Sequence, residues 1–103
     1  MEMTHLTDKN YDSHLSSVKG GIILFHKKLC PHCINMTKVL EKFSAKKKQV
    51  LIMSIDSEEN PEAMSAIDIE RVPALVIVKN GNVVDKKIGL MNPRELSSWY
   101  ESC

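Results

Sequence analysis

Apolar residues in this chain follow two rhythms. Short unbroken runs at Gly21 to His26, Val50 to Ile55 and Ala74 to Lys79 have the length and β-branched content of buried strands. After the first run, Ile34, Met36, Thr37, Val39, Leu40 and Phe43 recur at roughly i, i+3, i+4 and i+7, which predicts a helix from Ile34 to Lys46. Lys46-Lys47-Lys48 closes it with cations suited to the negative end of a helix, and reads as a solvated terminus rather than a docking patch. Leu96, Trp99 and Tyr100 give a last helix its packing face. Near the start, Thr4 to Leu6 reads as a short edge strand. Tyr11 to Val18 reads as a helix capped by Asn10 or Asp8, and Lys19-Gly20-Gly21 as a break.

Turn and cap residues supply the boundaries. Asn60-Pro61-Glu62 opens a helix that runs to about Ile67: Asn60 caps, Pro61 fits the first helical position, and Glu62 suits the positive end. Asn80-Gly81 is a type I′ hairpin dipeptide, so Val83 to Ile88 returns antiparallel to the preceding strand. Asn92-Pro93-Arg94-Glu95 has the residues of a capping box. The order is β-α-β-α-β-α-β-β-α. Alternation in the first half implies right-handed crossovers and parallel pairing, and the hairpin adds an antiparallel edge. The expected fold class is α/β: a central mixed sheet with helices on both faces, in a single domain over residues 1–103.

With 103 residues, 43% apolar and 26% charged, the chain can build one core. Its net charge of +1 gives no reason to expect nucleic acid or an anionic membrane as partner. No apolar run approaches the ~20 residues of a membrane span. The first ten residues hold acidic side chains and no apolar core of a secretory signal, so the expected location is cytoplasmic.

Candidate chemistry sits in one place. Cys30-Pro31-His32-Cys33 falls where the first confident strand meets the helix. A sulfur at a helix N-terminus meets unpaired N–H groups and the positive end of the helix dipole, which stabilise a thiolate. The i, i+3 spacing places both sulfurs on one helix face, and Pro31 suits a first turn, where its missing N–H costs nothing. In a reducing compartment a lone Cys-x-x-Cys points to redox work rather than a structural bridge. The third cysteine, Cys103, reads as a frayed, exposed thiol.

Several positions together resemble the thioredoxin family, over nearly the whole chain: Cys30-Pro31-His32-Cys33, Val72-Pro73, Asp56 followed by Asn60-Pro61, Val78-Lys79-Asn80-Gly81, and Ile88-Gly89. The resemblance implies the thioredoxin fold, a cis Pro73 facing the cysteines, and a Val72 backbone that pairs with an extended substrate strand. Leu29 and Gly89 would border the substrate, and the neighbouring apolar residues Leu29, Ile34 and Leu90 would form a flat docking patch, each of them partly core rather than wholly interface. It also implies a Cys30–Cys33 dithiol–disulfide cycle that reduces protein disulfides, with no bound cofactor, no metal, and recharging by a thioredoxin reductase using NADPH or NADH. The expected state is a monomer.

The sequence also departs from ordinary thioredoxins. Their Gly-Pro dipeptide is Pro31-His32 here, and Leu29 and His26 replace two tryptophans. The family's buried aspartate falls on Leu24 and its lysine partner on Ile52. Pro-His also occurs in a periplasmic disulfide oxidant, but the segment after Cys33 is too short for that protein's helical insertion. The pattern is most similar to the atypical thioredoxins of anaerobic sulfate-reducing bacteria, the desulfothioredoxins.

Cys30 is therefore the expected nucleophile and Cys33 the thiol that resolves the mixed disulfide. His32, beside the thiolate, can donate a hydrogen bond or carry positive charge, which lowers the Cys30 pKa and makes the disulfide more oxidising. Without a carboxylate at Leu24, Cys33 lacks the family's usual proton acceptor. His26 or water would have to serve, although His26 reads better as a partly exposed strand end. Two rival readings remain at this level. Cys30 and Cys33 could ligate zinc or an iron–sulfur cluster with His26 or His32 as a third ligand, or the chain could be a redox-silent interaction domain, because fold does not dictate chemistry.

Overall fold

A computed structural model describes residues 1–103. The elements are β1 (Thr4–Leu6), α1 (Tyr11–Leu15), β2 (Gly20–His26), α2 (Pro31–Lys46), β3 (Leu51–Asp56), α3 (Pro61–Ile67), β4 (Ala74–Lys79), β5 (Asn82–Ile88) and α4 (Pro93–Ser102). The five strands form one sheet in the order β1-β3-β2-β4-β5. β1 and β2 run parallel to β3, whereas β4 runs antiparallel to both β2 and β5.

Strand alternation divides the core into two layers. Ile23, Phe25, Met53, Ile55, Val76 and Val78 pack with Leu15 of α1 and with Ala63 and Ile67 of α3. Ile22, Leu24, Ile52, Leu75 and Ile77 face the other way, onto Met36, Leu40 and Phe43 of α2 and Leu96 and Trp99 of α4. β2, β3 and β4 are covered on both sides, which is why they read as unbroken apolar runs. β5 is exposed along its whole length. Asp85 and Lys86 each hold it to a helical segment: Trp99 donates its indole N–H to Asp85 at 2.7 Å, and Lys86 reaches the carbonyls of Ile67 and Asp68.

Most boundaries match the sequence reading, and the exceptions have physical causes. Gly20-Gly21 opens β2 instead of breaking the chain. A Cβ on Gly21 would lie 2.9 Å from the Leu51 backbone carbonyl, so close packing requires that glycine, and one on Gly20 would lie 2.5 Å from the Tyr100 hydroxyl and displace it. α1 stops at Leu15, short of Val18, and lacks a side-chain cap. Asn10 accepts instead from the Thr7 N–H in the preceding turn. Asp8 caps a different helix: its carboxylate accepts from the Glu62 and Ala63 N–H groups at the start of α3, at 3.2 and 2.8 Å. Asn60 occupies the N-cap position of α3 but makes no cap bond there. Its side-chain amide accepts from the Asp8 N–H and donates to the Asp56 carbonyl. Ile34 is 57% exposed and lies outside the packing stripe of α2, whose buried members are Cys33, Met36, Leu40 and Phe43. Cys103 is exposed but tied down, with its N–H on the Tyr100 carbonyl and its own carbonyl on Lys79 Nζ.

The Asp8 cap couples the segment after β1 to α3. Asp8→Ala is expected to destabilise the protein by about 1–2 kcal/mol, the usual cost of losing a side-chain cap, whereas Asp8→Asn, which keeps an acceptor, loses less. Urea unfolding midpoints check the order.

Candidate active site

The chain leaves β2 at His26 and turns through Lys27, Lys28 and Leu29 into α2. Leu29 has φ of 56°, a left-handed conformation that costs a β-carbon-bearing residue about 1 kcal/mol, and its side chain is 99% exposed. This turn sets Cys30 as the N-cap residue of α2, with extended backbone (φ −113°, ψ 103°) and Pro31 at the first helical position. Cys30 Sγ accepts from the Cys33 N–H at 3.2 Å, and the Cys30 carbonyl accepts the first helical bond, from Ile34. A sulfur thus takes the place usually given to a serine or aspartate oxygen. The helix begins three residues earlier than the apolar periodicity alone places it.

Both cysteines are largely covered, Cys30 8% and Cys33 4% exposed, and both are free thiols. Their acidities diverge. The Cys30 pKa is lowered chiefly by the hydrogen bond from the Cys33 thiol, against the opposing effect of burial; the Cys33 and His32 backbone N–H groups and the Lys27 charge add to the lowering. The Cys33 thiol is pushed up to about 11, first by burial and then by the neighbouring Cys30 sulfur, with Lys27 pulling the other way. Of the two sulfurs, Cys30 is the more readily ionised and Cys33 the one that keeps its proton. His32 is exposed on the first turn of α2. Lys27, missed in the sequence, acts on both sulfurs. Its only signal there was its position in the link between β2 and the first cysteine.

The Val72–Pro73 peptide bond is cis. Pro73 is buried, and its carbonyl accepts from the Gly89 N–H at 2.9 Å. Gly89, at φ 104°, therefore braces the proline loop from the end of β5. Val72 is half-buried, and its own N–H and C=O make no bond within the chain. Antiparallel pairing of Phe25 with Ala74 sets the residues just past them, His26 and Pro73, side by side. Lys27, Arg71 and Val72 line one shallow cleft of about 380 Å³. Leu29 stands wholly in solvent and is no part of the core, whereas Ile34 and Leu90, 57% and 53% exposed, are each about half covered. No three His, Cys, Asp or Glu side chains converge as a metal-binding group.

The Thioredoxin family model matches residues 2–102. This chain belongs to the thioredoxin family. Among curated relatives, a thioredoxin of Rickettsia bellii is 33% identical over 103 residues, 96% of each chain, and one of Chlamydia pneumoniae is 28% identical over 95 residues, 90% of each. Among solved structures, the reduced form of desulfothioredoxin from Desulfovibrio vulgaris Hildenborough superposes with a TM-score of 0.88 at 45% identity, covering 100% of both chains. A single-residue mutant of a thioredoxin from Halobacterium salinarum reaches 0.87 at 25% identity, over 98% of this chain and 89% of that one. The sheet order and helix layers described above are the thioredoxin fold, and the activity that comes with the family is thiol–disulfide oxidoreduction.

In this thioredoxin, alkylation by iodoacetamide should select Cys30. Because the Cys30 pKa is lowered, its rate should stay high below the ordinary thiol range and fall only as pH drops through the lowered value. Cys33 should react only as pH approaches about 11. Cys33→Ala removes the main donor to Cys30 and should move the alkylation profile to higher pH; Lys27→Gln should move it the same way by less. Mass-resolved alkylation across pH checks the three profiles.

Proposed function

We propose that this thioredoxin reduces protein disulfides through a Cys30/Cys33 dithiol–disulfide cycle. The observation that carries the reading is the Cys30 sulfur capping α2 at 3.2 Å from the Cys33 N–H, beside a buried partner thiol. Cys30 thiolate attacks a substrate disulfide and forms a mixed disulfide. Cys33 then attacks Cys30, the substrate leaves as a thiol, and Cys30–Cys33 closes. The unpaired N–H and C=O of Val72 receive an extended substrate segment as an added strand, with Leu29, Ile34 and Leu90 as its apolar border. The cycle needs no bound cofactor. Its electrons come from a thioredoxin reductase using NADPH or NADH, and the protein works as a cytoplasmic monomer. No helix is long and apolar enough to cross a membrane.

His32 separates this protein from thioredoxins with Gly-Pro between the cysteines. A histidine at the second helical position, one residue from the capping sulfur's donor, favours the thiolate and hence the dithiol form. The disulfide is then more oxidising, by tens of millivolts, with ~30 mV equivalent to about 1.4 kcal/mol for a two-electron couple. A zinc or iron–sulfur reading has less support, since neither His26 nor His32 completes a three-ligand group with the cysteines.

Equilibration against a glutathione series, read by thiol trapping, should give a reversible two-electron transition that is less reducing than ordinary thioredoxin. His32→Gly should lower that potential, and Cys30→Ser should abolish insulin-disulfide reduction. A potential unaffected by His32→Gly would remove the role given to His32; absence of any reversible transition would overturn the cycle.

A further inference from the structure

Cys33 must lose a proton to resolve the mixed disulfide, and burial works against that loss. No carboxylate lies beneath it: the position that would supply one is Leu24, 1% exposed, paired in register with Ser54. The sheet does carry a base one step further along the same face. Ile22 and Leu24 point into the layer under α2, so by the two-residue period of β2 His26 points there as well. Cys33 feels the backbone N–H of Lys27, which places its sulfur against the His26–Lys27 peptide.

The surroundings of His26 suit a proton carrier. It is half-buried at the end of β2, flanked by Asp56 in register on β3 and by Pro73 beyond β4. His5 on β1 is exposed on the same side and shares a hydrogen bond with Ser54. The titratable groups that act on it are Asp56 and His5; Cys33 approaches the peptide that it shares with Lys27, and Lys27 and Lys28 follow it in the turn. Burial keeps the His26 pKa below 6.5, helped by His5 and opposed by Asp56, so the ring is neutral and basic at neutral pH.

We propose that His26 is the proton acceptor for Cys33 in the resolving step. This rests on the dithiol cycle proposed above. In the mixed disulfide, the Cys33 S–H proton passes to a His26 ring nitrogen as Cys33 Sγ bonds to Cys30 Sγ. The bond between Cys30 and the substrate sulfur breaks, and its electron pair leaves on the substrate as thiolate. The two cysteines are oxidised, the substrate is reduced, and half-exposed His26 returns its proton to water. The Cys30 sulfur, which in the dithiol raises the Cys33 pKa, is by then bonded and no longer a thiolate, so the transfer is less opposed than in the free dithiol.

Stopped-flow oxidation by Ellman's reagent separates the steps, in a Cys103→Ser background so that the exposed third thiol does not react. The first thionitrobenzoate released reports attack by Cys30, and the second reports resolution by Cys33. His26→Asn should slow the second release about a hundredfold or more, in the range of a lost general base, leave the first within about twofold, and erase the histidine inflexion in the pH profile of the second. Asp56→Asn keeps the acceptor for the Glu58 and Glu59 N–H groups. It should leave the second release active but move its inflexion to lower pH. An unchanged second release in His26→Asn, equal slowing of both releases, or an inflexion that Asp56→Asn does not move would each overturn the role of His26. Failure of the unsubstituted protein to give a second release would instead overturn the dithiol cycle itself.

Discussion

A helix N-terminus must have its first N–H groups satisfied, and here a sulfur satisfies one of them. The contact between Cys30 Sγ and the Cys33 N–H joins the stability of α2 to the chemistry of the site. A cap accepts more strongly when it is anionic, so α2 favours Cys30 as thiolate, and the thiolate in turn favours α2. Much of the surrounding structure serves to hold that cap. β2 lies between β3 and β4 and delivers the chain to a fixed point above the sheet. Met36, Leu40 and Phe43 fasten α2 to the layer below, and the left-handed Leu29 completes the turn between them.

The same burial gives the two sulfurs opposite roles. Cys30 sits at the helix terminus, where donors outweigh desolvation. Cys33 lies one turn in, facing the sheet, where desolvation dominates. Only Pro31 and His32 separate a reactive thiol from a protected one, and no charged catalytic partner is needed to make the difference. Lys27 biases both sulfurs toward thiolate from solvent, where screening limits its influence. The deeper asymmetry therefore comes from backbone geometry and packing.

Much of this was legible in the residues. The unbroken runs at β2, β3 and β4 gave their burial on two faces. Asn80-Gly81 gave the hairpin, with φ of 53° and 80° at its two residues, and Asn92 with Glu95 gave the capping box of α4. Legibility failed where a residue's partner is remote in sequence. Asp8 caps a helix more than fifty residues away, so local rules assigned it to the nearest helix instead. Gly20-Gly21 resembled a breaker because Tyr100 and Leu51, which stand where side chains would go, come from the far end of the chain and the neighbouring strand. At the site, spacing identified the cysteines and the family resemblance pointed to the cis-proline pair, but Ile34 fitted the helical period while facing solvent. A periodicity shared by six residues does not say where the buried arc ends.

Replacing the buried carboxylate position with Leu24 has a consequence for the fold as well as for the chemistry. A carboxylate there would sit in the layer formed by Ile22, Ile52, Leu75 and Met36, and would need a partner or a proton to offset its desolvation. Leucine removes that cost, and Ile52 removes the need for a buried cation. The polar groups of this face are displaced toward the sheet's edge and the strand ends, where Ser54 meets the exposed His5 and the half-buried His26 lies beside Asp56. Proton traffic at such an edge requires no buried charge at rest. The core under α2 then holds a single buried polar side chain, Ser54, bonded to His5, and no buried charge.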